Sequence, residues 1–112
     1  MKKGRCLGFV ICLRENTNYQ STNYKFFQKR HNKFFYIDRI AIANEYQSSG
    51  IGSNLYSKLL SIKDKFNIPI CAEVNIDPPN ELSINFHRKH GFSEITECTI
   101  KEGYSVVYME IV

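Results

Sequence analysis

No apolar run in this sequence approaches the roughly 20 residues that span a bilayer, which argues against a helical membrane protein. The four cysteines, Cys6, Cys12, Cys71 and Cys98, have neither paired spacing nor a histidine cluster that would complete a zinc site. Buried, reduced thiols and no bound metal are expected. The sequence also lacks internal repeats, low-complexity tracts and a large excess of one charge. Its 15 Lys and Arg are interleaved with 11 Asp and Glu, for a formal net charge of +4. That balance excludes a disordered tail and a strongly cationic nucleic-acid binder, while remaining compatible with an anionic ligand. The apolar stretch Cys6 to Leu13 follows two lysines, yet no small-residue cleavage site comes after it and Arg14-Glu15-Asn16 interrupts it. It reads as a core strand rather than a signal peptide. With 112 residues, 43% of them hydrophobic, the chain can build one core and not two. A single soluble, cytoplasmic domain is expected.

Gly8 to Leu13 is a continuous apolar run of strand length, the pattern of a strand covered on both faces in the middle of a sheet. Asn16 to Lys33 is polar and rich in Asn, Tyr and Lys, and reads as a long connection and candidate binding loop. Within it, Tyr24 to His31 interleaves aromatics with cations, which suits an anionic partner but is more simply a solvated loop anchored by its rings. Phe34 to Ala43 returns to strand character. Ile51 to Phe66 is the most secure helix, with Ile51, Leu55, Leu59, Ile62 and Phe66 recurring along one face. Pro69 to Ile76 alternates, placing Ile70, Ala72, Val74 and Ile76 on one face and Cys71, Glu73 and Asn75 on the other. Asn80 is suited to cap a second helix, Glu81 to His90, which Gly91 stops in a left-handed conformation. Two strands follow, around Phe92 to Ile100 and Tyr104 to Ile111, joined by Lys101-Glu102-Gly103.

Gln47-Ser48-Ser49-Gly50-Ile51-Gly52 lies between a strand and the long helix. Unpaired N–H groups and the positive end of the helix dipole make such a turn a site for phosphate. A tight connection with no ligand is an equal reading of the glycines alone. There is no Gly-Lys-Ser/Thr ending for a P-loop and no third glycine for a dinucleotide fingerprint. Gln47-x-x-Gly50-x-Gly52, placed after the apolar strand Ile37 to Ile42, resembles the pyrophosphate-binding signature of the GNAT superfamily of N-acetyltransferases. Asn80-x-x-Ser83-x-x-Phe86-His87-x-x-x-Gly91-Phe92 resembles that family's second motif. The match runs from about Gly8 to the C-terminus, and Tyr36 to Ala43 and Glu73 to Asn80 look most like a bacterial group of predicted acetyltransferases.

The resemblance implies an α+β fold of three layers, whose mixed, mostly antiparallel sheet splays open between two strands with helices packed on it. It further implies that Gln47, Ser48, Ser49, Gly50, Ile51, Gly52 and Ser53 hold the pyrophosphate of acetyl-coenzyme A. The backbone of Ile40, Ala41 and Ile42 would line the pantetheine arm, with Asn75, Asn80, Ser83 and Phe86 bordering the slot from the other side. His87 stands where the family often has a tyrosine acting as general acid toward the departing thiolate. An imidazole fills that role only if its surroundings raise its pKa or water relays the proton, and a surface histidine is an equal reading. The acceptor amine must also lose a proton. Asp38 and Glu73, each an isolated charge in an apolar strand, are the candidate bases, with a salt bridge to a neighbour such as Arg39 as the structural alternative. Tyr24, Phe27 and Tyr36 fall, by resemblance, beside the acceptor.

Family members usually begin with a strand and two helices before the element at Gly8 to Leu13. An N-terminally shortened chain is therefore expected, with a homodimer as one way to supply the missing wall and cover the exposed sheet edge. Three functional readings remain: an N-acetyltransferase acting by direct transfer to a small-molecule or peptide amine, a non-catalytic acetyl-coenzyme A binding module, and a small basic interaction domain.

Overall fold

The computed structural model describes residues 8–42 and 50–112; the expected ligand contacts of Gln47, Ser48 and Ser49 lie outside the described residues. In chain order the elements are β1 (Gly8–Leu13), α1 (Thr22–Arg30), β2 (Phe35–Ile42), α2 (Ile51–Phe66), β3 (Ile70–Asp77), α3 (Glu81–Lys89), β4 (Ser93–Lys101) and β5 (Tyr104–Ile111). The strands form one sheet in the order β1-β2-β3-β5-β4, antiparallel throughout except for the parallel pair β2 and β3. This is the expected mixed, mostly antiparallel sheet.

The alternation read in β3 organises the layers. Ile70, Ala72 and Val74 join Tyr56 and Leu59 of α2, Ile84 of α3, and Val107 and Met109 of β5 in one core cluster. Cys71, on the opposite face, joins Tyr24 and Phe27 of α1, Phe34, Tyr36, Val106 and Tyr108 in a second. The molecule therefore has three layers, with α2 and α3 on one face of the sheet and α1 on the other.

Three expectations are corrected. The polar stretch Asn16 to Lys33 contains α1 rather than only a loop. The Ser21 hydroxyl accepts the Tyr24 amide at 3.3 Å as an N-cap, Lys29 and Arg30 sit in the last turn where the dipole favours cations, and Tyr24 and Phe27 are fully buried. β1 is not central: in the described sheet it pairs only with β2, and Phe9 and Ile11 are 41% and 43% exposed. Helix α2 has the expected bounds, but its buried side chains are Tyr56, Leu59 and Lys63, while Ile62 and Phe66 face outward.

Two local devices shape the sheet. In the β1–β2 pairing, Ile11 faces Arg39 and Cys12 faces Ile37, so Asp38 is an extra residue, a β-bulge that bends the strand. In the β2–β3 pairing, only Phe35↔Ile70 and Tyr36↔Cys71 are matched, and the ladder ends just before the bulge. From there the two strands splay. At the closed end of this V, Arg30 clasps both carboxylate oxygens of Glu110 at 3.0 and 2.8 Å, and His31 Nε2 lies 2.7 Å from one of them. The end of α1 is thus tied to β5, directly above Cys71, which pairs with Glu110 in the ladder.

The Arg30 guanidinium, assisted by His31, holds the Glu110 carboxyl below its usual range. A depressed folded-state pKa contributes stability that is present above the unfolded value of about 4.3 and is lost as pH falls through the folded value. Glu110→Gln is expected to cost about 1–2 kcal/mol at pH 7, after discounting for the solvent-screened Arg30. The gap should be smaller at about pH 3, because below the unfolded value the unfolded chain's Glu110 has taken up its proton and part of this stability is lost. Urea unfolding at the two pH values checks this, and a gap that does not change with pH would remove the ion pair as the source of the stability.

Candidate active site

Helix α2 starts at Gly50, whose φ of 90° and ψ of 1° place it in the left-handed region that glycine tolerates best. Gly50 supplies no capping side chain, and the first turn contains no acidic residue. With no cap from Gly50 itself, the N–H groups and dipole of this helix end suit a ligand anion. A Cβ built on Gly50 meets nothing within 4 Å among the described residues, so there the backbone angle is what demands glycine. Gly52 has a second role: a Cβ there would touch Phe86 of α3 at 3.4 Å. Ser53, expected on the pyrophosphate, has its hydroxyl 3.1 Å from Nε2 of His90.

The opening between β2 and β3 starts where the ladder stops, so Ile40 and Ala41 lie on the splayed part of β2. Glu73 is two residues beyond the last pair on β3, and Asp38 is two residues beyond it on β2. The two carboxylates therefore stand on facing strands at the root of the slot. Glu73 accepts the Tyr36 hydroxyl at 2.5 Å, and Asp38 accepts the Tyr19 hydroxyl at 2.7 Å. Burial pushes the Glu73 carboxyl up to about 7, against the Tyr36 hydrogen bond and with help from the negative charge of Asp38. The salt bridge of Asp38 with Arg39, the structural alternative, is not formed among the described residues; Tyr19 takes its place.

His87 is buried on the other side of the sheet. Its Nδ1 lies 2.7 Å from the carbonyl oxygen of Ser83, which can only accept, so Nδ1 carries the proton. Nε2 then accepts the Tyr56 hydroxyl at 2.8 Å. Desolvation lowers the His87 pKa despite the Ser83 bond. This geometry counts against the expected role as proton donor: the ring is neutral and both nitrogens are engaged. Tyr56, unremarked in the sequence, packs against the rings of Phe86, His87, His90 and Phe92 and joins α2 to α3.

The remaining residues also separate by position. Asn80 caps α3, its Oδ1 accepting the Ser83 amide at 3.2 Å, while its own N–H donates to the Asn75 carbonyl at 3.1 Å. Tyr24, Phe27 and Tyr36, expected beside the acceptor, are 0%, 0% and 1% exposed, so their rings are core and only the Tyr36 hydroxyl reaches the site through Glu73. Tyr19 was missed because nothing local in the sequence links it to Asp38. His31, Cys71 and Glu110 bring one donor atom each within 4.8 Å of one another, but Arg30 already occupies both oxygens of the carboxylate. A cleft of about 430 Å³ between α1 and β4, lined by Lys25, Phe26, Lys29, Thr96, Cys98 and Tyr108 among others, shares no lining residue with the slot. No described helix is long and apolar enough to cross a membrane.

In histidine-resolved NMR, His87 is expected as the Nδ1–H tautomer with a titration midpoint below the ordinary value of about 6.5. A midpoint at or above that value would restore the proton-donor role.

The sequence profile of the Acetyltransferase (GNAT) family matches residues 1–92. A sequence search of curated proteins finds no match. Among solved structures, Arabidopsis thaliana Naa50, in complex with the bisubstrate analogue CoA-Ac-MVNAL, superposes with a TM-score of 0.71 at 22% identity, over 96% of this chain and 66% of that one. The ribosomal-protein-S18-alanine N-acetyltransferase of Escherichia coli gives 0.68 at 19% identity, over 99% and 64%. A Bacillus anthracis protein in complex with acetyl coenzyme A gives 0.73 at 18% identity, over 99% and 58%. The chain therefore spans 58–66% of the length of these three structures, and at such identities the likeness establishes the fold. Since the family profile covers most of the sequence and the sheet splays as the resemblance implied, the chain belongs to the GNAT family of acetyltransferases.

Proposed function

We propose that this chain binds acetyl-coenzyme A and transfers its acetyl group directly to a primary amine. The observation that carries this reading is the root of the slot: a parallel ladder that stops at a bulge, with a carboxyl of pKa about 7 beside the opening. The residues fit the cosubstrate. The start of α2, with no cap from Gly50, suits a pyrophosphate, and the splayed strand at Ile40 and Ala41 offers backbone groups to an extended amide-bearing arm. When bound, acetyl-coenzyme A supplies an activated thioester.

The chain's own groups do the rest. Glu73 takes the proton that an ammonium group must lose before it can attack, and a base with pKa near the working pH does this best. Backbone N–H groups of splayed β2 polarise the carbonyl as negative charge develops on its oxygen. A thiol of pKa about 8.5 leaves readily, so a hydrogen bond rather than a strong acid suffices at the sulfur.

A second reading, cofactor binding without turnover, is favoured by one observation: His87 is neutral and doubly bonded where the family often has tyrosine. Two experiments separate the readings. Calorimetric titration with acetyl-coenzyme A should show saturable binding that is lost in a Gly50→Glu/Gly52→Glu double variant; absence of binding by the parent chain would sink both. With an amine acceptor, kcat/KM should rise with pH through about 7, because Glu73 must be deprotonated. Glu73→Gln should lower kcat by about 10²–10³-fold with acetyl-coenzyme A affinity unchanged. Binding with no turnover for any amine would leave the binding-module reading.

A further inference from the structure

The slot has two carboxylates where proton removal needs one. Asp38 lies on the α1 side of the sheet with Tyr36 and Glu73, accepting the hydroxyl of Tyr19, and each carboxylate lies two residues past the last matched pair of its strand. Neighbouring strands are about 4.8 Å apart and widen from there, so the two groups flank a gap of small-molecule width. Glu73 feels the negative charge of Asp38, yet among the described residues neither is ion-paired. Their polar partners are the phenols of Tyr19 and Tyr36 and, for Glu73, the Asn23 amide, which donate a proton but bring no positive charge.

Tyr19 is the exposed member of this group. Its ring is 41% exposed and rests on those of Tyr24 and Tyr36, with centroids 5.7 and 6.4 Å away, while its hydroxyl donates to Asp38. A phenol O–H aimed at a carboxylate occupies the place an ammonium N–H would take, and the ring beside it offers a cation the negative face of its π-system. The unmatched negative charge thus calls for a ligand with two cationic centres only a few ångströms apart.

We infer that the acceptor is a small diamine or polyamine, whose distal ammonium replaces the Tyr19 hydroxyl on Asp38 while its reacting amine is deprotonated by Glu73. This rests on the transferase reading above. The step balances: the proton passes from the reacting ammonium to Glu73, the freed lone pair forms the C–N bond to the acetyl carbon, and the C–S bond breaks, its electron pair leaving on the coenzyme A sulfur. Asp38 changes no bond and positions the acceptor.

The test compares putrescine with butylamine, which has the same four-carbon chain and one ammonium group fewer, in acetyl transfer by the whole chain. Putrescine is expected to have the higher kcat/KM by about fivefold, the worth of one partly screened ion pair. In Asp38→Asn the putrescine KM should rise until the ratio falls to about one, whereas Tyr19→Phe, which removes the competing hydroxyl, should keep or raise it. Melting curves confirm that both variants fold. Transfer with equal efficiency to both amines, or an Asp38→Asn loss shared equally by both, overturns the diamine inference and leaves the transferase reading standing. If neither amine is acetylated, putrescine titration in the presence of coenzyme A decides. Binding lost in Asp38→Asn upholds the diamine site, and no binding overturns the diamine inference; the transferase reading is decided separately, by the acetyl-coenzyme A titration and by turnover with other amines.

Discussion

The bulge at Asp38 is the constraint on which the rest of this molecule depends. A parallel ladder continued past Tyr36 and Cys71 would satisfy the backbone of β2 with that of β3 and leave nothing for a ligand. One extra residue on the β1 side bends β2 away while its pairing with β1 stays intact, so the opening comes without breaking the sheet. Asp38, two residues past Tyr36, shares by simple alternation the face where Tyr36 and Glu73 stand. Slot and charge meet at one irregularity.

That irregularity is tolerable because the closed end is held from several directions. Helix α1 lays Tyr24 and Phe27 on Tyr36, Cys71 and Tyr108, and the Tyr108 hydroxyl reaches Asn23 at 2.8 Å. Arg30 and His31 then fix the helix end to Glu110. Burial of fully enclosed rings, each worth about 1.5–3 kcal/mol, offsets the ladder bonds that β2 and β3 forgo. The charged clasp adds direction more than energy, since the Arg30 side chain is 42% exposed.

Much of this was legible in the sequence wherever a local signal coincided with the final environment. The alternation of β3, the Asn80 cap, the left-handed Gly91 and the bounds of α2 and β5 all rest on neighbours within a few residues. Helix α1 was hidden because its buried residues are two rings and an asparagine in an otherwise polar run, and its cap is a lone serine. The edge position of β1 could not be read either, since an apolar run reports burial potential and not where the strand lies in the sheet. The bulge leaves no trace in a strand whose acid looks like an ordinary interruption. The pairing of His87 with Tyr56 spans two helices and 31 positions, so no motif spacing reveals it. The motif residues marked the right region, but their chemistry was set by partners from elsewhere in the chain.

The seam between α2 and α3 has a consequence for stability as well as for chemistry. Phe86 lies against Gly52, His90 meets Ser53 and His87 meets Tyr56, so the first turns of α2 are stitched to α3 along its length. Whatever engages the turn at Gly50 is therefore linked to the packing of both helices against the sheet. By mass action, a ligand bound only to the folded chain at a hundred times its Kd adds about 2.7 kcal/mol. If acetyl-coenzyme A is that ligand, as proposed, the resistance of this small fold to unfolding becomes a function of cosubstrate concentration, and the protein is firmest where acetyl donor is abundant.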